Sequence, residues 1–120
     1  MGLAGERSLV VQEEHTATRW GSGSLLVFST PQMIALMEGA AVDAVDPLLP
    51  AGHQTVGTHL QIDHLAATPM GCRVKAVAEL AAIEGRKLTF RVAAYVEVGT
   101  IGEGEHHRFV IEVAKFMQRA

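Results

Sequence analysis

The stretch from residue 31 to residue 45, PQMIALMEGAAVDAV, decides the fold of this chain. Its apolar residues recur at intervals of three and four, the period of one face of an α-helix. They are Met33, Ile34, Met37, Ala40, Ala41, Ala44 and Val45. Leu36 widens this face, so we expect a helix that is apolar around most of its circumference and largely buried. Ser29 or Thr30 can cap its start, and Pro47 ends it because a residue before proline avoids the helical conformation.

Most of the remaining chain is predicted to be β-sheet. Strands are expected at residues 8–18, 55–65, 73–83, 87–98 and 101–116, the first irregular and the last with a bulge near its glycines. Tight turns are expected at Glu84-Gly85 and Gly99-Thr100. One strand, one buried helix and four antiparallel strands make an α+β layout in which the sheet wraps the helix. This layout indicates a hot-dog fold, although element order alone does not separate it from other α+β domains.

Composition narrows the class of protein. The 120 residues fit one domain, residues 1–120, with a core large enough to fold without metal or disulfides. A net charge of −3 without a basic stripe argues against nucleic-acid binding. The longest apolar run is too short for a transmembrane helix, so no membrane partner is expected. The single cysteine, Cys72, cannot form an internal disulfide, which indicates a cytoplasmic protein.

Glu38 is the first candidate for chemistry, because it lies inside the most apolar helix. Its neighbours at helical spacing offer no cation, and a buried carboxylate without a partner is costly unless it is protonated or hydrogen-bonded. The alternative is that Glu38 lies on a narrow exposed strip of the helix with Asp43.

His64 and Thr30 are the second and third candidates. Alternation places His64 at the end of an apolar row that faces the helix. This row is Val56, Thr58, Leu60, Ile62 and His64, and the opposite face carries Gly57, His59, Gln61 and Asp63. An imidazole at a strand end can act as a general base near neutral pH, although a core-facing histidine is more often structural. Thr30 is either a helix cap or a hydroxyl beside the positive end of the helix dipole, where a nucleophile or an oxyanion is favoured.

Other candidate motifs are weaker. His106 and His107 are adjacent on a strand, point to opposite faces and cannot bind one metal together. No other group of His, Cys and acidic residues has metal-ligand spacing, so neither a metal site nor a cofactor is predicted. Glycines 99, 102 and 104 lie within a strand pair, not before a helix, and indicate turns and bulges instead of a phosphate loop.

Several segments together resemble the fluoroacetyl-CoA-specific thioesterase family of hot-dog proteins. They are Phe28-Ser29-Thr30, Leu36-Met37-Glu38, Val56-Gly57-Thr58, His64-Leu65-Ala66-Ala67-Thr68-Pro69-Met70-Gly71, Glu84-Gly85-Arg86 and the stretch from Gly102 to Arg108. The resemblance covers roughly residues 26–117, and the string that begins at His64 is its most specific part. In that family the catalytic residues are a threonine at the helix entry, a glutamate eight residues later and a histidine in the following strand. Thr30, Glu38 and His64 match these three positions.

The resemblance implies a homodimeric acyl-CoA thioesterase in which the three matched residues meet in one pocket near the dimer interface. His64 would act as base, Glu38 would orient or polarise it, and Thr30 would be the nucleophile or would position water. Backbone N–H groups at Gly57, Thr58 or the helix start would bind substrate and stabilise the oxyanion. A dimer also covers the edges of a thin sheet.

The substrate class is a short-chain acyl-CoA, and the acyl group is expected to differ from fluoroacetyl. The fluoroacetate-hydrolysing member has a longer connection before the helix, with phenylalanines over the acyl pocket, whereas residues 20–28 are short and rich in Gly and Ser here. Two alternatives remain open: a non-catalytic acyl-CoA or small-ligand binding protein on the same fold, and a hot-dog enoyl-CoA hydratase.

Overall fold

The structure, a computed structural model, describes residues 2–120 and contains five strands and three α-helices within them. The strands are β1 (Ala4–Val10), β2 (His53–His64), β3 (Arg73–Glu84), β4 (Lys87–Val96) and β5 (Gly99–Glu112). The helices are α1 (Ala17–Trp20), α2 (Thr30–Val45) and α3 (Val113–Arg119), with short 3-10 turns at Glu13–His15 and Asp46–Leu48.

The five strands form one antiparallel sheet in the order β1-β3-β4-β5-β2, and α2 packs on one face of it. Eight of the sixteen residues of α2 are buried. Alanines on β3 let the helix approach the sheet closely, and Gly5 of β1 lies directly beside the backbone of Ala44. The expected sheet around one long helix is thereby confirmed. None of the helices in residues 2–120 has the length and apolar character needed to cross a membrane.

The two ends of the chain differ from the sequence prediction. The first strand is residues 4–10 and not 8–18, because the chain turns at Gln12, whose N–H donates to His15 Nδ1 at 2.9 Å. The last strand was expected to reach Phe116 but ends at Glu112. The segment after it is rich in good helix formers and forms α3.

Three bulges interrupt the sheet, and one of them lies in β3, where Ala81 is the extra residue between Leu80 and Ala82. Ile101 is the extra residue of β5 opposite Ala94 and Tyr95, which confirms the expected bulge near the glycines. The third bulge lies in β2, where Gly57 pairs with Arg108 and His59 pairs with His107, leaving Thr58 unpaired.

The bulge at Thr58 reverses the alternation of β2. Arg108 contacts α2, so its partner Gly57 faces the helix and the neighbouring Val56 faces away. The prediction that Val56 shares a face with Leu60 and Ile62 is therefore wrong. After the bulge, Leu60 pairs with the buried His106 and faces the helix as expected, and so does His64.

Candidate active site

Ser29, not Thr30, caps helix α2. The Ser29 hydroxyl accepts a hydrogen bond from the Gln32 backbone N–H at 3.3 Å, and Thr30 is the first helical residue. Pro31 follows in the first turn, where its missing N–H costs nothing. Because Ser29 takes the capping role, the hydroxyl of Thr30 is left for another partner.

That partner is His64 at the end of β2. Thr30 Oγ1 and His64 Nδ1 are joined by a hydrogen bond of 2.7 Å across 34 positions of sequence. The position of His64 is fixed by the chain that follows it, since the N–H of Leu65 donates to the Ile101 carbonyl at 2.7 Å. The helix start and the strand end thus hold a hydroxyl and an imidazole in the contact that an activated nucleophile or water requires.

The second nitrogen of His64 has no hydrogen-bond partner among residues 2–120. Nε2 is buried and makes no hydrogen bond of acceptable geometry. Burial lowers the pKa of His64, and the backbone of Ala66 opposes part of this lowering. A depressed pKa keeps the imidazole neutral near pH 7, the form that accepts a proton. In a catalytic triad, the acidic group contacts the histidine nitrogen that does not face the nucleophile. In His64 that nitrogen is Nε2, which is buried and unpaired.

A cavity of about 480 Å³ opens beside this pair. Thr30 and His64 line it together with the chain before α2 and the chain after β2, and the other lining residues are Ala17, Ser22, Gly23, Ser24, Leu25, Val27, Phe28, Leu65, Ala66 and Ala67. None of these described lining residues is acidic. Within one chain, the cavity therefore supplies the hydroxyl and the imidazole but no carboxylate.

Glu38 lies in a second cluster further along α2. It is eight residues from Thr30, about 12 Å along a helix. Glu38 Oε2 lies 3.7 Å from Arg108 Nη1 and 4.0 Å from His106 Nε2, and the Glu38 side chain is 36% exposed. The cation that its own helix lacks comes from β5, so Glu38 is neither unpaired nor on an open strip with Asp43, which pairs with Arg7.

Arg108 organises this second cluster. Its Nε donates to Thr55 Oγ1 at 2.8 Å and its Nη2 to the Thr55 carbonyl at 3.0 Å. Arg108 Nη1 lies 3.1 Å from His106 Nε2, and His106 Nδ1 lies 2.8 Å from the His59 carbonyl. Burial lowers the pKa of Arg108, while the carboxylates of Asp46 and Glu38 oppose the lowering.

The same arrangement fixes His106 as a neutral side chain. Burial lowers the pKa of His106, Arg108 adds to the lowering, and the His59 carbonyl and Glu38 oppose it. With Nε2 accepting from Arg108, the proton lies on Nδ1 and is donated to His59. Sequence reasoning missed Arg108 and His106 as partners of Glu38. The available signal was an Arg and a His two residues apart, and therefore on one face, in a strand-like segment.

Gly57 lies beside Glu38, and neither Gly57 nor Thr58 lines the cavity. A Cβ on Gly57 would be 2.8 Å from Glu38 Oε2, so the missing side chain gives the carboxylate room. Thr58 is exposed, and its hydroxyl donates to the His107 carbonyl at 3.3 Å. The structure thus brings Thr30 and His64 together and groups Glu38 with Gly57. The catalytic and substrate-binding roles of these residues remain predictions.

A five-stranded antiparallel sheet curled on one long helix is the hot-dog fold, as expected from the sequence. A solved structure described as a hot-dog-like protein, from Thermanaerovibrio acidaminovorans, has a TM-score of 0.90 at 23% identity and matches 98% of this chain and 87% of that chain. At that identity the likeness concerns the fold alone.

The sequence profile of the family described as fluoroacetyl-CoA-specific thioesterase matches residues 11–114. The chain therefore belongs to this family. It is 47% identical over 90 residues to the fluoroacetyl-CoA thioesterase of Streptantibioticus cattleyicolor, an alignment that covers 75% of this chain and 65% of that protein. The match thus spans slightly less than two thirds of that relative's length. A solved structure of the fluoroacetyl-CoA thioesterase FlK has a TM-score of 0.92 at 37% identity, covering 99% of this chain and 93% of that chain.

Proposed function

We propose that this protein is an acyl-CoA thioesterase that hydrolyses a short-chain acyl-CoA. The observation that carries the proposal is the 2.7 Å contact between Thr30 Oγ1 and His64 Nδ1 at the mouth of a cavity. The family to which the chain belongs, and the names of its relatives, support the same reaction class.

In the proposed reaction, His64 Nδ1 takes the proton of the Thr30 hydroxyl or of a water held by it. The deprotonated oxygen attacks the thioester carbonyl, the C–S bond breaks, and the imidazolium returns its proton to the departing CoA thiolate. If Thr30 is acylated, a water then releases the acid by the same proton transfers. Backbone N–H groups at the start of α2, or those of Gly57 and Thr58 from a second copy of the chain, stabilise the oxyanion of the tetrahedral intermediate.

A homodimer is proposed because β2 is an edge strand with unpaired backbone groups and an exposed apolar side chain. It pairs only with β5 among the described strands, so its outer edge offers free backbone groups to a second copy. Leu60, which faces the helix side, is 42% exposed although its register partner His106 is fully buried. Pairing of β2 with its symmetry mate would continue the sheet and cover this leucine.

The dimer also offers His64 a carboxylate. Along β2, Gly57 lies near the middle and His64 at the end, seven residues or about 23 Å apart, so Glu38, which packs beside Gly57, is far from His64 of its own chain. A twofold axis perpendicular to the sheet at Gln61 pairs Gln61 with Gln61 of the partner subunit. With the extra residue at Thr58, His64 then lies opposite Gly57 of the partner subunit. Because Gly57 is packed against Glu38, Glu38 of the partner subunit then approaches the open Nε2 of His64.

The proposed acyl group is small and differs from fluoroacetyl. Ser22, Gly23 and Ser24 line the cavity where an aromatic cover would be needed for tight enclosure of a fluoroacetyl group. Phe28 is the aromatic residue among the described lining residues, and it is 1% exposed. We place the enzyme in the cytoplasm because Cys72 is a free thiol, which suits a reducing compartment.

The experiment that tests this function is incubation of the protein with a panel of acyl-CoAs, following both free thiol release and enoyl consumption. Thiol release from short saturated acyl-CoAs is expected. Enoyl consumption without thiol release would instead identify a hydratase. Measurable acyl-CoA binding without turnover of any substrate would identify a binding protein.

A further inference from the structure

Three side chains meet on the face of the sheet opposite α2, outside the candidate active site. The ligand-type atoms of His59, Glu105 and His107 all lie within 4.8 Å of one another. His107 Nε2 and Glu105 Oε2 are 2.6 Å apart. The rings of His59 and His107 are stacked, with centroids 4.6 Å apart and an interplanar angle of 28°.

The backbone brings these residues together through the bulge at Thr58. Without that extra residue, alternation would put His59 on the same face as Gly57, which in the structure faces the helix. With it, His59 becomes the register partner of His107 and points to the outer face. Glu105 is two residues before His107 and shares its face. Sequence spacing does not reveal this cluster, because its third member depends on strand register.

The surroundings favour a cation. A groove beside the cluster is lined by Asp63, Glu103, Glu105 and one cation, Arg91. Arg91 Nη1 lies 3.7 Å from Glu79 Oε1, so a carboxylate on β3 offsets part of its charge. The two histidines therefore lie at the edge of a surface with more acidic than basic groups.

We propose that His59, His107 and Glu105 form a binding site for a divalent transition metal ion, with Zn²⁺ as the best-fitting ion. Two imidazole nitrogens and one carboxylate oxygen are a donor set that Zn²⁺ accepts, with water as a fourth ligand. Metal–ligand distances of about 2.0–2.2 Å need donors about 3.4 Å apart, so rotation of exposed side chains is sufficient and the backbone stays in place. The ion takes the place of the hydrogen bond between His107 Nε2 and Glu105 Oε2, and the neutral imidazole that binds it through Nε2 carries its one proton on Nδ1.

A metal at this position links edge strand β2 to β5 on the face away from the cavity. Its expected effect is on the stability of the folded protein, because an ion that binds the native pair of strands lowers the free energy of the native state. The proposal does not depend on thioesterase activity, and its test does not use it.

Metal-stripped protein is titrated with ZnCl₂ by calorimetry, and Co²⁺ is added separately as a spectroscopic probe. About one Zn²⁺ per chain and a rise in melting temperature of about 5 °C or more at saturating ion are expected. His59→Ala and His107→Ala should each weaken binding at least tenfold, and Glu105→Gln should weaken it to a lesser extent.

The matched controls are His53→Ala, a partly exposed histidine at the start of the same strand, and Glu103→Gln, a carboxylate of the same groove. Both should bind Zn²⁺ like the parent protein. All five residues are on the surface or partly exposed, and circular dichroism checks that each variant is folded. Absence of binding in the parent protein would overturn the proposal, and so would equal binding by the His59 and His107 variants.

Discussion

At the scale of single residues, the adjacent hydroxyls of Ser29 and Thr30 have different roles at the start of α2. Ser29 satisfies the backbone at the helix start, so the neighbouring hydroxyl is free to contact His64. His64 in turn offers Nδ1 to that hydroxyl and leaves Nε2 open. Within one chain, these two side chains thus provide the hydroxyl and the base of the proposed mechanism.

Replacing His64 with Ala tests its role as base. We expect acyl-CoA hydrolysis to fall by about two to four orders of magnitude, the usual contribution of general acid–base catalysis. His53→Ala serves as the control, since His53 lies at the other end of β2. Steady-state thiol release measures both variants, and an unchanged rate in folded His64→Ala protein would remove His64 from the mechanism.

Exchanging the two hydroxyl residues separates capping from catalysis. Ser29→Ala should lower the free energy of unfolding by about 0.5–2 kcal/mol, because the Gln32 N–H loses its acceptor. Thr30→Ala should lower stability less and activity more, and Thr30→Ser should keep more activity than Thr30→Ala. Denaturant unfolding and initial rates measure the two effects. A larger loss of stability in Thr30→Ala than in Ser29→Ala would contradict the assignment of the cap.

The pH dependence of the rate reports on Glu38. Removing an anion near an imidazolium lowers the pKa of the imidazole, so Glu38→Gln should shift the acidic limb of kcat/KM to lower pH. Burial then remains the main influence on His64, and the midpoint should lie below the ordinary histidine pKa of 6.5. Activity is thus retained above the midpoint and lost as the pH falls through it. An acidic limb at the same pH in both proteins would show that Glu38 does not face His64.

At the scale of elements, the pattern of apolar residues was sufficient to predict α2 and the sheet around it. The period of three and four in α2 and the alternation in β3 and β4 depend on local sequence alone. The bulge at Thr58 does not, because an extra residue in β2 is defined only by its pairing with β5. For that reason the face of Val56 was predicted wrongly, whereas Leu60 and Ile62 were placed correctly.

The packing of α2 on β1 makes Gly5 a sensitive position. A Cβ at Gly5 would lie 2.7 Å from the Ala44 backbone nitrogen and closer still to the Ala40 carbonyl oxygen. Because backbone atoms cannot rotate away, Gly5→Ala should destabilise the fold by about 1–3 kcal/mol, as overpacking does. Gly23→Ala is the control, since its Cβ would meet Ala17 Cβ at an ordinary 3.4 Å. Equal melting temperatures for the two variants would argue against tight contact between β1 and α2.

At the scale of the whole molecule, one chain separates the matched residues, with Thr30 and His64 at the end of β2 and Glu38 beside Gly57 near its middle. Family resemblance identified Thr30, Glu38 and His64, and local patterns placed each on its helix or strand. Neither could show that Glu38 binds Arg108 and that His64 Nε2 stays open, since both depend on packing between distant segments. The central claim of the proposed mechanism is that a twofold dimer through β2 brings Glu38 of the partner subunit to Thr30 and His64.

Mixing two variants, each impaired in a different residue of the triad, tests that claim most directly. Glu38→Gln and His64→Ala proteins carry different tags, are unfolded and refolded together, and are compared with each variant refolded alone. Random assortment makes half of the dimers mixed. In each mixed dimer, one of the two sites combines an intact His64 with an intact Glu38. About a quarter of the parent thiol-release rate should therefore return. A rate no higher than the mean of the two variants alone would contradict a site that is shared between two copies of this chain.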